Sequence, residues 1–555
     1  ELALETIAAA AEAGVTVFDT AHAYGRDAAD LGHNERLLAR ALRRCGAHES
    51  ARVVTKGGMT RTGGAWIPDG RASAIRSDCE ASLAALGGLA IDLYLLHAPD
   101  PRTAWRTSVR ALARLLDAGV VRRIGLSNVN RHQLDEALEL TDITAVQVAL
   151  NPYDGSALRG GLVERCAERG IAVIAHSPLG GPRRAGRLAH HQVLADVANA
   201  RGATAAEVAL AWLLELSPTV VAIPGARRPQ TARSAARAAT LRLDPGDRAL
   251  LARAFGGLRP AHVEGARAAD DDSDVVLVMG IPGSGKSRVA EEYVARGYLR
   301  LNRDERGGSL RELAGVLDNA LSSGVRRVVL DNTYLSRAVR SRVIEAANRH
   351  EVPARCIWLD TPLAQAQRNL VERLLERYGS LPTPGELRVL ARGEPGVLMP
   401  TSQMRALREL EPPSTDEGLA AVEHVPFARA PTSGRTQAGV FVAAAVVRHA
   451  EWKHVLERSD RGAPHLVYDW SPGGTPDALA DCVASLRAEV SGQVDGGLCP
   501  HPAGPPSCWC RPPLPGLALA FARAHGVDPS RSILVGAGPA HRTLATTLGA
   551  RYVAV

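Results

Sequence analysis

Residues Val275–Ser287 read VVLVMGIPGSGKS, five apolar residues running straight into the pattern Gly-x-x-x-x-Gly-Lys-Ser. The apolar run predicts a buried parallel strand, and RVAEEYVARG, Arg288–Gly297, predicts the helix after the turn. Strand, glycine-rich turn and helix in that order make the pattern a phosphate-binding loop rather than a chance match. Gly280, Gly283 and Gly285 let the backbone turn tightly, so that the amides from Gly283 through Ser284 to Lys286 point at the phosphates of a nucleoside triphosphate. Lys286 then reaches the β and γ oxygens, and the Ser287 hydroxyl ligates Mg2+. ATP and Mg2+ are the expected ligands.

Working outward, the chain continues in the same α/β rhythm, with strands at RRVVLDNT and ARCIWLD. A phosphoryl-transfer site also needs a base for the acceptor hydroxyl and cations over the moving phosphate. Asp304, in YLRLNRDERGG, follows a short strand where an acceptor would approach, flanked by Arg303 and Arg306. Asp331 ends RRVVLD as a partner for Mg2+, and Arg368, Arg373 and Arg377 on AQRNLVERLLER suggest a lid, although a solvated arginine helix is an equally simple reading.

The series GIPGSGKS, LNRDERGG, LDNTY, AQRNLVER and EPPSTDEGLAAVEHVPF resembles the kinase module of polynucleotide kinase-phosphatases over most of residues 275–429. That resemblance implies a P-loop kinase α/β sheet that phosphorylates a nucleic-acid 5′ end, with Asp304 as general base and Lys286, Ser287, Arg368 and Arg373 completing the site. Small P-loop kinases acting on metabolites share most of these features, so a small-molecule acceptor stays open. On that alternative the flanking domains are catalytically weak binding modules.

Upstream, residues 1–257 alternate short apolar runs with amphipathic helical stretches: VTVFDT, RVVTK, IDLYLLH, RIGLS, AVQVAL, AVIAHS and VVAIPG. So many β/α repeats in one block predict a (β/α)8 barrel of which seven strands are present and the first is missing. The chain opens at Glu1 in a helical pattern, which reads as a trimmed start without an export signal. Asp19, Lys56 and His97 each end a strand, where catalytic groups of such barrels sit, and Tyr24 follows five residues after Asp19. A phenol beside an ammonium can give its proton to a carbonyl oxygen as hydride arrives, while a carboxylate holds the lysine.

In the contexts FDTAHAYG, TKGG and LLHAPD, with GLSN, Gln147, SPLG and IPGARRP further on, this constellation resembles the aldo-keto reductase family. The resemblance implies that Tyr24 is the general acid, Asp19 and Lys56 tune it, and His97 orients a small carbonyl substrate. It also implies that Ser127, Asn128 and Gln147 hold the nicotinamide carboxamide of NADPH, and that Arg227 and Arg228 grip its 2′-phosphate. Two positions depart from the family. His176 stands where an aromatic ring usually stacks on the nicotinamide, and the adenine-end pattern falls on Thr231, Ser234 and Ala235.

Downstream, residues 258–274 lose apolar periodicity and read as a linker, as does ARAPTSGRTQ ahead of a last unit, 438–555, with strands at GVFVAAAVV, HLVYDW and ILVGAG. Its segment CPHPAGPPSCWCRPPLPG places Cys499, His501, Cys508 and Cys510 within twelve residues, four ligands adequate for tetrahedral Zn2+. This loop, with ILVGAG after it, resembles haloacid-dehalogenase-type (HAD-like) phosphatases that carry a structural zinc. Their catalytic groups are lacking: no Asp-x-Asp occurs between Ala430 and Cys499, the lysine position is Pro512, and the acidic position after Val535-Gly536 is Ala537. The expectation is an α/β multidomain chain whose last domain is phosphatase-shaped and inactive.

Composition fits this reading. The 555 residues carry 46% hydrophobic and 23% charged side chains, no apolar run is long enough to span a bilayer, and eight cysteines are too few for a disulfide scaffold, so a cytoplasmic setting is expected. Of the 66 basic residues three are lysines, Lys56, Lys286 and Lys453. A chain that uses arginine for every ordinary surface cation keeps lysine where a compact ammonium is needed, and two of the three lie in the motifs above.

Overall fold

The computed structural model describes residues 1–257, 273–427, 434–449, 453–456, 460–504 and 506–555. The chain divides into two compact units. The first holds a seven-stranded, all-parallel sheet in sequence order, Val17–Asp19, Arg52–Gly57, Leu93–Leu96, Ile124–Ser127, Ala145–Ala149, Ala172–His176 and Val220–Ile223. These are the seven apolar runs of the sequence, and they curl into a nearly closed barrel. Val17 and Val221, on the two edge strands, are 39% and 41% exposed, as expected of a barrel lacking a strand.

Alternation along each strand sorts the core. Val54, Leu93, Leu95, Ala145 and Ile174 pack together inside the barrel, while Val53, Tyr94, Leu96, Ile124, Leu126, Val146 and Val173 join the layer under the outer helices. Helix starts are set by side-chain caps: Asn130 with Gln133, Thr204 with Glu207 and Asp244 with Asp247 form reciprocal capping boxes. A hairpin, Met59–Thr62 paired with Ala65–Pro68, interrupts the β/α alternation after the second strand.

The second unit holds two parallel five-stranded sheets. One runs Leu299–Leu301, Arg327–Leu330, Asp274–Met279, Ala354–Asp360, Ala421–Pro426, and the other Val494–Cys499, His465–Trp470, Val440–Ala443, Ile533–Gly536, Arg551–Ala554. Residues 370–399 share one hydrophobic core with the second of these sheets.

Most of the segment read as a linker, 258–272, lies outside the described residues, as do residues 428–433 of the second soft segment. Asp274, read as the linker's last residue, instead opens the central strand of its sheet and pairs with Arg355. The run GVFVAAAVV is strand only through Ala443, and Ala444–Val447 coil into a short helix.

Candidate active sites

Because the barrel strands are parallel and in register, their C-terminal ends gather Asp19, Lys56, His97, Ser127 and Gln147 on one rim. Lys56 is fully buried, and its ammonium donates to Asp19 Oδ1 at 2.6 Å, to the Thr20 carbonyl at 2.7 Å and to the Tyr24 hydroxyl at 3.3 Å. The second Asp19 oxygen accepts from Gln147 Nε2 at 2.7 Å. One carboxylate therefore fixes both the lysine and the amide. His97 meets the Tyr24 ring edge-on at 5.7 Å between centroids. Burial, reinforced by the Lys56 charge, pushes the His97 imidazole down to about 3, so it is neutral across working pH and can donate a hydrogen bond without carrying charge.

Asn128, in the left-handed region at φ 57°, donates to the His97 carbonyl at 2.9 Å and to Ser127 Oγ at 3.1 Å, while its Oδ1 lies 3.1 Å from His176 Nε2. Ser127, Asn128, His97 and His176 are thus one connected set. Burial and then Lys56 lower the His176 imidazole as well.

At the other end of the expected cofactor path, Arg227 and Arg228 are exposed. Thr231 is committed to capping Arg228, and Ser234 donates to Glu207 at 2.7 Å.

Sequence reasoning missed Trp66. It stands on the hairpin with its ring edge-on to Tyr24 at 6.0 Å and to His97 at 5.7 Å, and the Arg61 guanidinium stacks 3.9 Å above it. A cavity of about 620 Å3 opens here, lined by Tyr24, Trp66, Arg26, Asp27, Asp30 and His33. The signal was present as a lone tryptophan after Gly63-Gly64, a turn that projects its neighbour outward.

Behind the rim, His22 lies 3.9 Å from Glu35 and 3.8 Å from Asp78, all on the loop and helices that flank the lysine strand. Burial disfavours the charged ring, but the neighbouring carboxylates of Glu35 and Asp78 outweigh it and raise the His22 imidazole. Asp78 is itself raised by burial, so the fully buried Glu35 is the principal partner. A raised histidine contributes stability that is complete below its unfolded value near 6.5 and is lost as pH rises through the folded value. His22→Gln is therefore expected to lower the unfolding midpoint of the full chain most at pH 6 and progressively less toward pH 9, measured by differential scanning fluorimetry. A pH-independent difference would remove the charge from the account.

In the second unit, the loop Gly280–Ser287 takes the geometry its glycines allow. A Cβ on Gly280 would lie 2.5 Å from Ser284 Oγ, and one on Gly283 would lie 2.4 Å from the Ala366 carbonyl oxygen, at φ 157° and 88°. Lys286 donates to the carbonyls of Gly280 and Ile281, both at 3.0 Å. Burial lowers its ammonium to about 8, with Asp331 and Asp304 opposing and Arg373 assisting. Ser287 is exposed at the helix start. Asp304 is half exposed and pairs with Arg303 at 3.1 Å.

Arg300 grips both oxygens of Asp331 at 3.1 and 2.6 Å, a cross-strand pair that no local pattern announces. One expected role is corrected. Arg368 is not a phosphate lid. It is buried and donates to the Leu548 carbonyl at 3.0 Å, and Arg377 pairs with Glu394, because spacings of five and four turn the three arginines to different faces. Arg373 alone of the three bears on Lys286. Three side chains without any sequence signal hold the loop's carbonyls instead: Thr361 on Ser284, Asn369 on Gly283 and Gln403 on Pro282, at 3.2, 2.8 and 3.0 Å.

In the last sheet, the ligand atoms of Cys499, His501, Cys508 and Cys510 all lie within 4.8 Å of one another. Four of the six separations, sulfur–sulfur at 3.5 and 3.7 Å and sulfur–nitrogen at 3.2 and 3.4 Å, are close to the edges of a tetrahedron built on Zn–S and Zn–N bonds of about 2.3 and 2.0 Å. Ala443 ends the central strand, and the Ala537 amide donates to His541 at 3.1 Å.

With this geometry in hand, the similarities to known proteins are informative. The Aldo/keto reductase family matches residues 1–254, and the family described as AAA domain matches residues 275–390. An uncharacterized oxidoreductase of Schizosaccharomyces pombe is 30% identical over 227 residues, which is 40% of this chain and 70% of that protein. A probable aldo-keto reductase of Glycine max is 31% identical over 242 residues, 38% of this chain and 67% of the relative. Among solved structures, an aldo/keto reductase from Klebsiella pneumoniae in complex with NADP and acetate is 27% identical with a TM-score of 0.39, covering 47% of this chain and 88% of that one.

Proposed function

The chain belongs to the aldo/keto reductase family through its N-terminal barrel, which is fused to an AAA-type P-loop domain, and from that premise we propose two activities: NADPH-dependent reduction of a small carbonyl compound, and phosphoryl transfer from ATP to the 5′-hydroxyl of a nucleic acid. The observation that carries the first is the Asp19–Lys56–Tyr24 chain at 2.6 and 3.3 Å, with Tyr24 also lining the cavity beside Trp66.

The hydroxyl and amides of Ser127, Asn128 and Gln147 form a donor–acceptor set suited to a carboxamide, so these residues would hold NADPH, with Arg227 and Arg228 toward its phosphate. NADPH supplies the hydride when bound. Tyr24 hydrogen-bonds the substrate's carbonyl oxygen and delivers its proton there as charge develops. Lys56 stabilises the phenolate that results, Asp19 keeps Lys56 in place, and neutral His97 orients the same oxygen. The Trp66 ring forms an apolar wall beside Tyr24 and His97.

In the P-loop domain, Lys286 and the loop amides would hold the β and γ phosphates, Ser287 the Mg2+, and Arg373 the charge that grows on the transferring group. Asp304 accepts the proton of the incoming hydroxyl. The alternative of a small-alcohol kinase flanked by binding modules draws on the expected phosphatase-like last domain, which lacks an Asp-x-Asp motif and has Ala537 at the expected acidic position. One screen separates these readings. The full chain is incubated with labelled ATP and either a 5′-hydroxyl oligonucleotide or a panel of polyols, and NADPH consumption is followed in parallel with simple aldehydes. Label on a polyol alone would sink the nucleic-acid reading, and no aldehyde-dependent NADPH consumption would sink the reductase reading.

The Cys499, His501, Cys508 and Cys510 set would hold Zn2+ as a closed structural site, with no open position for catalysis. Elemental analysis is expected to find about one zinc per chain, lost in Cys508→Ser, because each thiolate ligand contributes binding energy that is also folding energy.

A further inference from the structure

Two segments join the P-loop to the last domain, helix 363–378 through its core and residues 398–409 through Trp509. Helix Leu363–Tyr378 places Asn369 on the Gly283 carbonyl at 2.8 Å, and its Ala366 carbonyl is what a Gly283 side chain would strike. Other faces of that helix are committed elsewhere. Leu370, Val371, Leu374 and Leu375 are buried in one core with Phe441, Trp509 and Leu519, and Glu372 takes both nitrogens of Arg435 at 3.0 and 2.9 Å. Helix Pro400–Glu409 places the fully buried Gln403 on the Pro282 carbonyl at 3.0 Å. Just ahead of it, the Leu398 carbonyl accepts the Trp509 indole N–H at 3.0 Å, and Trp509 sits between Cys508 and Cys510. A close-packed core transmits such placements because it has few voids to absorb a shift.

We propose that Asn369 and Gln403 are positioning residues for the P-loop, and that Trp509, fixed in the Cys–His loop, sets where they stand. The proposal rests on reading Gly280–Ser287 as a nucleotide site. Each amide pins one carbonyl of the turn, and because the peptide is planar this fixes the opposite tilt of the next residue's N–H, the group aimed at phosphate. The last sheet thereby acts as part of the P-loop's framework.

Hydrogen exchange of residues 280–287 tests this without any nucleotide, in the full-length wild type and in Asn369→Asp, Gln403→Glu and Trp509→Phe. The first two are isosteric and lose the N–H donor, and the third keeps the aromatic ring and loses the indole N–H. Arg435→Gln, which loosens the same helix from outside the core, serves if Trp509→Phe does not fold. The loop amides are expected to exchange roughly five- to tenfold faster, and ATP to bind about five- to tenfold more weakly, as for loss of one hydrogen bond. Exchange in the barrel strand Leu93–Leu96 stays unchanged. Wild-type exchange in Asn369→Asp and Gln403→Glu overturns the positioning role. A response in those two but in neither Trp509→Phe nor Arg435→Gln overturns the link to the last sheet. Wild type that binds no ATP removes the nucleotide reading, while the exchange data still decide whether the loop is held this way.

Discussion

Tyr24→Phe is expected to lower carbonyl-dependent NADPH oxidation by roughly 10²–10⁴-fold, or about 3–5 kcal/mol of transition-state stabilisation, with NADPH affinity close to wild type. The phenyl ring still fills its place against Trp66 and His97, so the loss isolates the proton. Lys56→Met should fall in the same range by another route: it removes the ammonium that stabilises the phenolate and leaves Asp19 with a single partner, Gln147, in a buried site. Stopped-flow absorbance at the nicotinamide band separates the two steps. If Tyr24→Phe kept more than a tenth of the wild-type rate while Lys56→Met lost it, the proton donor would have to be sought elsewhere, His97 being the nearest alternative on the rim.

The second large effect is expected in the P-loop domain. Lys286→Ala should cost on the order of 10²–10³ in phosphoryl transfer and weaken ATP binding too, because the lysine serves both the bound phosphates and the charge that develops on them. Asp304→Asn should instead lower transfer by roughly 10²–10⁴ with ATP affinity preserved, the signature of a lost base. Isothermal titration with a non-hydrolysable ATP analogue, set beside a labelled-phosphate assay, distinguishes them. Equal loss of binding in both variants would mean that Asp304 belongs to the donor half of the site. Arg368→Met is expected to destabilise the domain without this split, since its guanidinium faces Leu548 and not the phosphates.

The barrel was legible because its chemistry lies along the strand direction. Each apolar run became a strand, parallel register brought their ends together, and Asp19, Lys56 and His97 could be placed from order alone. The P-loop was legible for the same reason, its residues being consecutive. What escaped depends on rotation and on pairing across strands. Trp66 reaches the rim from a hairpin inserted between a strand and its helix, and Arg300 meets Asp331 across neighbouring strands thirty-one residues apart. Arg368 was placed on the wrong side because helix periodicity relates its neighbours to one another without saying which face meets the loop. Asn369 and Gln403 carry no signal at all: an amide on an amphipathic helix reads as solvent-facing until the loop it caps is seen. The division of the second unit was blurred for a related reason, since a composition shift marks a connector and says nothing about whether the parts it joins share a core.

Lysine scarcity gives the P-loop amine a chemical individuality. Of three ε-amines in the chain, that of Lys56 is buried against Asp19 and that of Lys453 is tied to Glu489, whereas Lys286 is held near 8 by its enclosure and is substantially unprotonated at slightly alkaline pH. An acylating reagent at pH 8 should thus modify Lys286 ahead of the others, and a phosphate group seated over the amine would shield it, turning a single peptide's modification into a direct gauge of occupancy at that loop.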